Sequence, residues 1–187
     1  MKKEIIFFGK GGQGLGVMGK ILALSAILEG KEVSSSPSYG GEVTGGLSQS
    51  EVIVSDEKID FPTVLEPDIL IIFSQMAIPK TKNKIMIFYD PDLIDAGKLS
   101  KNHELIPVPA TKMAMEISGE RSIANMIMLG AVIAKTQMVK PESIIKIIHE
   151  ELKGKNPELN EKAFMEGFRP RLSGFGGQDG GQDKIGG

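Results

Sequence analysis

Ile5-Ile6-Phe7-Phe8 runs directly into Gly9-Lys10-Gly11-Gly12-Gln13-Gly14. Four consecutive apolar residues are the pattern of a short strand buried on both faces. The next segment, Leu15 to Glu29, carries Val17, Ile21, Leu24, Ile27 and Leu28 at helical spacing, and Gly30 supplies a stop. Strand, glycine turn and helix in that order open an α/β unit. The spacing Gly9-x-Gly11-x-x-Gly14 is that of a dinucleotide-binding loop, in which glycines let backbone N–H groups approach a diphosphate at the positive end of a helix.

The second half of that fingerprint is missing. A dinucleotide site places an acidic residue about 20 positions on, at the end of the second strand, to hold the ribose hydroxyls. Here the second strand, Val33 to Ser36, ends in Ser34-Ser35-Ser36, with no arginine beside it for a 2′-phosphate. No Gly-Lys-Ser/Thr closes the loop, which excludes a kinase-type phosphate loop. The glycines serve either a diphosphate or the close packing of backbone, loop or partner chain.

Further strands are predicted at Leu47–Ser55, Asp68–Phe73 and Lys84–Tyr89, with a shorter one at Leu105–Val108, where Pro107 points to a strand end or sheet edge. Helices are predicted at Ala110–Ile117, Ile123–Thr136, Glu142–Leu152 and Pro157–Gly167. The pattern implies a three-layer α/β sandwich with a mostly parallel, Rossmann-like sheet and a helical C-terminal third. Residues 1–172 are expected to form one domain. Residues 173–187 are a glycine-rich extension that repeats Gly-Gly-Gln-Asp; two such units are too few to stack into a calcium-binding solenoid.

Composition narrows the function. Of 187 residues, 41% are hydrophobic and 25% charged, which excludes a disordered or fibrous chain. With 22 basic against 24 acidic residues there is no surplus of positive charge for nucleic acid. Cysteine is absent, so this chain ligates neither a disulfide nor a cysteine-held iron–sulfur cluster. The two histidines, His103 and His149, are far apart and are read as surface residues. No apolar run spans a membrane and no signal-peptide pattern opens the sequence, so the expected location is the cytoplasm.

A second glycine-rich segment, Pro37 to Gly46, should leave the C-terminal edge of the second strand, the edge that also carries the first loop. It offers Tyr39 and Glu42 as its polar groups. Asn125 is an amide in an apolar, methionine-rich helix and needs partners: either it bonds the first glycine loop from beneath or it caps the helix.

Several ordered motifs then carry a resemblance. They are Gly9-x-Gly11-Gly12-Gln13-Gly14; Ser36-Pro37-Ser38-Tyr39-Gly40 followed by Glu42 and Gly45-Gly46; and Val54-Ser55-Asp56-Glu57 ahead of Pro67-Asp68. Ala124-Asn125-Met126-Ile127-Met128-Leu129-Gly130 and Asn160-x-x-Ala163-Phe164-x-x-Gly167 complete the set. Over residues 4–168 the sequence resembles the gamma subunit, or gamma domain, of the 2-oxoacid:ferredoxin (acceptor) oxidoreductases. The resemblance implies a complex that decarboxylates a 2-oxoacid on thiamine diphosphate, passes electrons through iron–sulfur clusters to ferredoxin and transfers the acyl group to coenzyme A. It implies partner subunits of alpha, beta and ferredoxin-like type, which hold the thiamine diphosphate, magnesium and clusters. This chain would support assembly and contact coenzyme A through Gly9, Gly11, Gly12, Gln13, Gly14, Ser38, Tyr39, Gly40, Glu42 and Asn125, with no catalytic or metal-ligating residue of its own. The second loop departs from the family's usual form: Gly41 stands for a proline and Thr44 for an arginine. The Gly45-Gly46 ending leans towards the 2-oxoglutarate type. Two other readings stay open, an independent nucleotide- or coenzyme-binding enzyme and a pure assembly module.

Overall fold

The computed structural model describes residues 1–39, 46–75 and 83–169. Six strands form one sheet: β1 (Lys2–Lys10), β2 (Glu32–Tyr39), β3 (Leu47–Ser55), β4 (Ile69–Ile72), β5 (Met86–Tyr89) and β6 (Glu104–Pro107). Their order is β2-β3-β1-β4-β5-β6. β1, β4, β5 and β6 run parallel, whereas β3 pairs antiparallel with both β1 and β2. Five α-helices follow the predicted positions: α1 (Leu15–Leu28), α2 (Ala110–Ser118), α3 (Ala124–Thr136), α4 (Pro141–Glu151) and α5 (Pro157–Phe168).

The helix α1 crosses from β1 to β2, but β3 folds back and takes the place beside β1. The sequences explain the exchange. Val52, Ile53 and Val54 of β3 are buried on both faces, so this strand gains most from an interior position. β2 reads Glu-Val-Ser-Ser-Ser-Pro-Ser-Tyr and takes the edge. The strand continues through Pro37, which the sequence reading assigned to the loop. Pro37 lies opposite Ser50 on the edge strand, where a missing N–H costs no ladder bond. Pro107 ends β6, the strand at the other edge.

The two faces of the sheet are covered differently. Ile5, Phe7, Val52, Val54, Ile69 and Ile71 share one core with buried residues of all five helices. Ile6, Leu70, Ile72 and Ile87 point the other way, as strand alternation requires. There they meet Ile94 and Leu99 beside the 3-10 turn Ala96–Lys98. Among the described residues the third layer is therefore made of loop and 3-10 turn rather than α-helix. The segment 61–66 belongs to it and is fastened by carboxylates rising from the sheet. Glu4 Oε2 accepts from the N–H of Leu65 at 2.9 Å and of Glu66 at 3.3 Å, and Glu51 Oε2 accepts from Val64 at 3.3 Å. Partial burial pushes the Glu4 carboxyl up, but the Lys2 ammonium and these two N–H groups outweigh it and leave its pKa lowered.

Two glycines let α3 and α5 touch backbone to backbone. A Cβ on Gly130 would stand 2.7 Å from the nitrogen of Phe168 and collide with the carbonyl of Phe164. A Cβ on Gly167 would stand 2.7 Å from the carbonyl carbon of Ile127. This contact fixes where α3 begins, and α3 begins under the first glycine loop.

His103 departs from its surface reading: it is half-buried, and its Nδ1 is buried without a hydrogen-bond partner. His149 pairs with Glu161 at 2.6 Å on the facing sides of α4 and α5.

Candidate functional site

The loop after β1 is closed by its own glutamine. Gln13 Oε1 accepts from the N–H of Lys10 at 2.6 Å, and its Nε2 donates to the carbonyl of Phe73, after β4, at 3.3 Å. One side chain thus pins the loop to itself and to the neighbouring strand. Gly12 (φ 88°) and Gly14 (φ 75°) occupy the left-handed region, where a side chain costs about 1–2 kcal/mol. The N–H groups of Gly12 and Gly14 have no hydrogen-bond partner among the described residues. Gly14 also precedes the first residue of α1, and its carbonyl accepts from Met18 at 3.0 Å to start that helix. Unpaired N–H groups at a helix N-terminus are an arrangement that receives anions.

The second glycine segment arrives at the same edge. Lys10 at the end of β1 lies opposite Leu47 at the start of β3, and Tyr39 at the end of β2 lies opposite Ser48. Between the two loops the N–H of Gly11 donates to the carbonyl of Gly46 at 3.0 Å. The described ends of both loops are therefore joined. Gly40 and Glu42 lie outside the described residues, as does the segment that joins Tyr39 to Gly46. The backbones of Ser38 and Tyr39 are placed at the end of β2.

Asn125 reaches the loop from below. Its Nδ2 lies 3.5 Å from the carbonyl oxygen of Gly14, and its Oδ1 accepts from the N–H of Met126 at 2.9 Å. Asn125 is 7% exposed. It is the second residue of α3, with Ile123 at the cap position, so the cap reading does not hold and the contact with the loop does.

Two hollows flank the loop, with Gly12 on the wall of both. The larger, about 800 Å³, runs between the outer side of α1 and strands β2 and β3. Gly16, Lys20, Leu24 and Ile27 form one wall, and Val33 and Ser35 belong to the other. Lys20 pairs with Glu151 of α4. Lys10 is exposed and has no ion pair among the described residues. The smaller hollow, about 240 Å³, lies between Gly12, Gln13 and Phe73 on one side and Arg121, Ser122 and Asn125 on the other. Sequence reading did not single out Arg121. Its signal was its position, four residues ahead of the amide that meets the loop.

Of the other residues weighed at this edge, Phe73 borders the smaller hollow, while Gln75 turns away to accept from the N–H of Asp95 at 3.2 Å. Asp90 is fully buried at the end of β5 and holds the N–H of Thr111 at 2.7 Å and of Asp92 at 3.0 Å. It fastens the start of α2 and is not available as an acid or base. Among the described residues no three histidine, aspartate or glutamate side chains gather as a metal site. The donor set thus does not fit a magnesium-held diphosphate or an iron–sulfur cluster. No helix among the described residues is long and apolar enough to cross a membrane.

Residues 4–169 match the model of the pyruvate ferredoxin/flavodoxin oxidoreductase family. The chain belongs to this family. It is 40% identical over 174 residues to the 2-oxoglutarate synthase subunit KorC of Methanocaldococcus jannaschii, covering 90% of this chain and 93% of that one. The gamma subunit of a keto/oxoacid ferredoxin oxidoreductase from Geobacter sulfurreducens has the same fold, with a TM-score of 0.75 and 36% identity over 89% of this chain and 96% of that one. A 2-oxoglutarate:ferredoxin oxidoreductase from Magnetococcus marinus, solved with 2-oxoglutarate, coenzyme A and succinyl-CoA, contains this fold as 30% of its chain, with a TM-score of 0.78 and 20% identity. In this oxidoreductase family the domain occurs both as a separate subunit and as part of a longer polypeptide. The present chain is a gamma-type subunit of a 2-oxoacid:ferredoxin oxidoreductase.

Proposed function

We propose that this chain is the gamma subunit of a complex that oxidises 2-oxoglutarate to its acyl-CoA, and that its share of the work is to hold coenzyme A at the edge where the two glycine loops meet. One observation carries the reading: the Gly11–Gly46 hydrogen bond joins the loops into a single rim, with the unpaired N–H groups of Gly12 and Gly14 beside it. Such a rim accepts a diphosphate without needing a bound cation. The decarboxylation and the electron transfer belong to cofactors held by partner subunits of alpha, beta and ferredoxin-like type, with ferredoxin as the acceptor. This chain orients the acyl acceptor and supplies part of the interface.

The substrate follows from the relatives rather than from the site. The KorC proteins are named for 2-oxoglutarate, and no residue of the rim described here reads a 2-oxoacid. Phe61, 55% exposed, and Leu65, 69% exposed, crown the loop layer on the far face of the sheet and are suited to a partner surface.

The test is reconstitution. Co-expressed alpha, beta and ferredoxin-like chains should co-purify with this one and reduce ferredoxin with 2-oxoglutarate in a coenzyme A-dependent manner. The same chains without it should lose that dependence or fail to assemble. Full activity from the partners alone would refute the assignment, and faster turnover with pyruvate than with 2-oxoglutarate would refute the substrate.

A further inference from the structure

We propose that Arg121 is the cation that fixes the coenzyme's diphosphate against Gly12, in the smaller hollow beneath the first glycine loop; this rests on the reading of that loop as the coenzyme rim. Four observations point to an anion there. The hollow has Arg121 as its one charged lining residue among those described, and no carboxylate. The guanidinium of Arg121 forms no ion pair or side-chain hydrogen bond with any described residue. Facing it is Gly12, whose N–H is also unpaired. The remaining polar lining, Gln13 and Asn125, is already bonded to the loop itself and leaves the arginine and the glycine N–H as the free donors.

The acids close to Arg121 do not neutralise it. Glu120 is engaged by Ser122, which donates its hydroxyl at 3.1 Å. Asp92 and Glu116 border the adjoining outer hollow, which Arg121 also lines, without forming an ion pair with it. A guanidinium held ready in this way matches two phosphate oxygens at once. Lys10, by contrast, opens onto the other side of the loop.

Size sets what enters. At about 240 Å³ the hollow is smaller than the ~300 Å³ at the low end for whole organic ligands. It takes a phosphate-sized group, while the longer groove along α1, reached across the same Gly12, has room for the organic part of the coenzyme.

The assembled complex carrying Arg121→Ala, Arg121→Lys or Gly12→Val is titrated with coenzyme A, with 3′-dephospho-coenzyme A and with 2-oxoacid. Arg121→Ala should raise the KM for coenzyme A by roughly tenfold or more and leave the KM for 2-oxoacid in place. Arg121→Lys should recover part of the loss, since a point charge replaces a fork. The penalty should be the same for the dephospho form, because the diphosphate is common to both. Inorganic pyrophosphate should compete with coenzyme A in the wild-type complex and lose that effect in Arg121→Ala. An unchanged KM in Arg121→Ala with a raised KM in Gly12→Val overturns the role of Arg121 and leaves the rim standing. An unchanged KM in both variants overturns the rim as well. A penalty confined to coenzyme A and absent with the dephospho form also overturns the diphosphate assignment.

Discussion

The amide of Asn125 sits directly under Gly14: Nδ2 is 3.5 Å from the glycine's carbonyl oxygen, and a Cβ on Gly14 would stand 3.1 Å from Asn125 Cγ. The two residues are 111 positions apart in sequence, and their contact fits the start of α3 to the turn that starts α1. Each constrains the other. Gly14 must lack a side chain because Asn125 occupies the space, and because its φ of 75° disfavours one.

A double-mutant cycle measures this. Asn125→Ala should lower stability by about 1–2 kcal/mol, through the buried groups left unpaired. Gly14→Ala should cost more, adding left-handed strain to the clash. The double variant should be less damaged than the sum by at least about 0.5 kcal/mol, because the alanine at 125 vacates the space. Denaturant unfolding of the four proteins checks it; strict additivity would mean that the two residues are not in steric contact.

Gly130 and Gly167 make a sharper demand, since the atoms they meet are backbone and cannot rotate away. Gly130→Ala should destabilise by more than about 2 kcal/mol, in line with core overpacking. Gly16→Ala is the control. It also lies inside a helix, but a Cβ there meets nothing within 4 Å, so it should stabilise by up to about 1 kcal/mol. Thermal melts that rank the two substitutions the other way would contradict the α3–α5 contact.

Acid should loosen the edge of the sheet opposite the glycine loops. Asp56 accepts from the Lys31 ammonium and from the amino group of Met1, each at 2.7 Å. These bonds, Lys31 first, hold its pKa at about 2, below the ordinary 3.8. A folded pKa lower than the unfolded one gives stability that is complete above about 3.8 and is lost as pH falls towards about 2. Asp56→Asn should therefore be less stable than wild type at neutral pH, with the gap closing across that window. Because the pair is exposed, added salt should narrow the gap at pH 7. A gap constant from pH 7 to pH 2 would exclude the ion pair as its origin.

The fold was legible where a single pattern ruled. Ile69–Ile72 and Met86–Tyr89 are short, apolar and bounded, and they form parallel strands inside the limits read for them. The place of β3 was not legible, because periodicity reports burial but not which neighbour a strand chooses. Its apolar centre, Val52 to Val54, hinted at an interior position only when set beside the polar β2. The far layer was also hidden: Glu4 and Glu51 look like surface charges in sequence, yet they hold the backbone of 64–66. At the rim, Gly9 to Gly14 was readable from glycine spacing, and Asn125 from the oddity of an amide in an apolar helix. Arg121 was not, because an arginine in a turn carries no periodic signal and its meaning comes from Gly12 across the hollow.

The most direct measurement is a coenzyme A titration of the assembled complex carrying Gly12→Ala, run beside single-turnover decarboxylation of 2-oxoglutarate without coenzyme A. Gly12 has open space around it and a φ of 88°, so alanine redirects the loop N–H groups without pushing on the core. If the rim holds the acyl acceptor, the KM for coenzyme A rises several-fold while the decarboxylation step keeps its rate. If the coenzyme A dependence is the same as in wild type, the glycines are a packing device and this subunit is an assembly module.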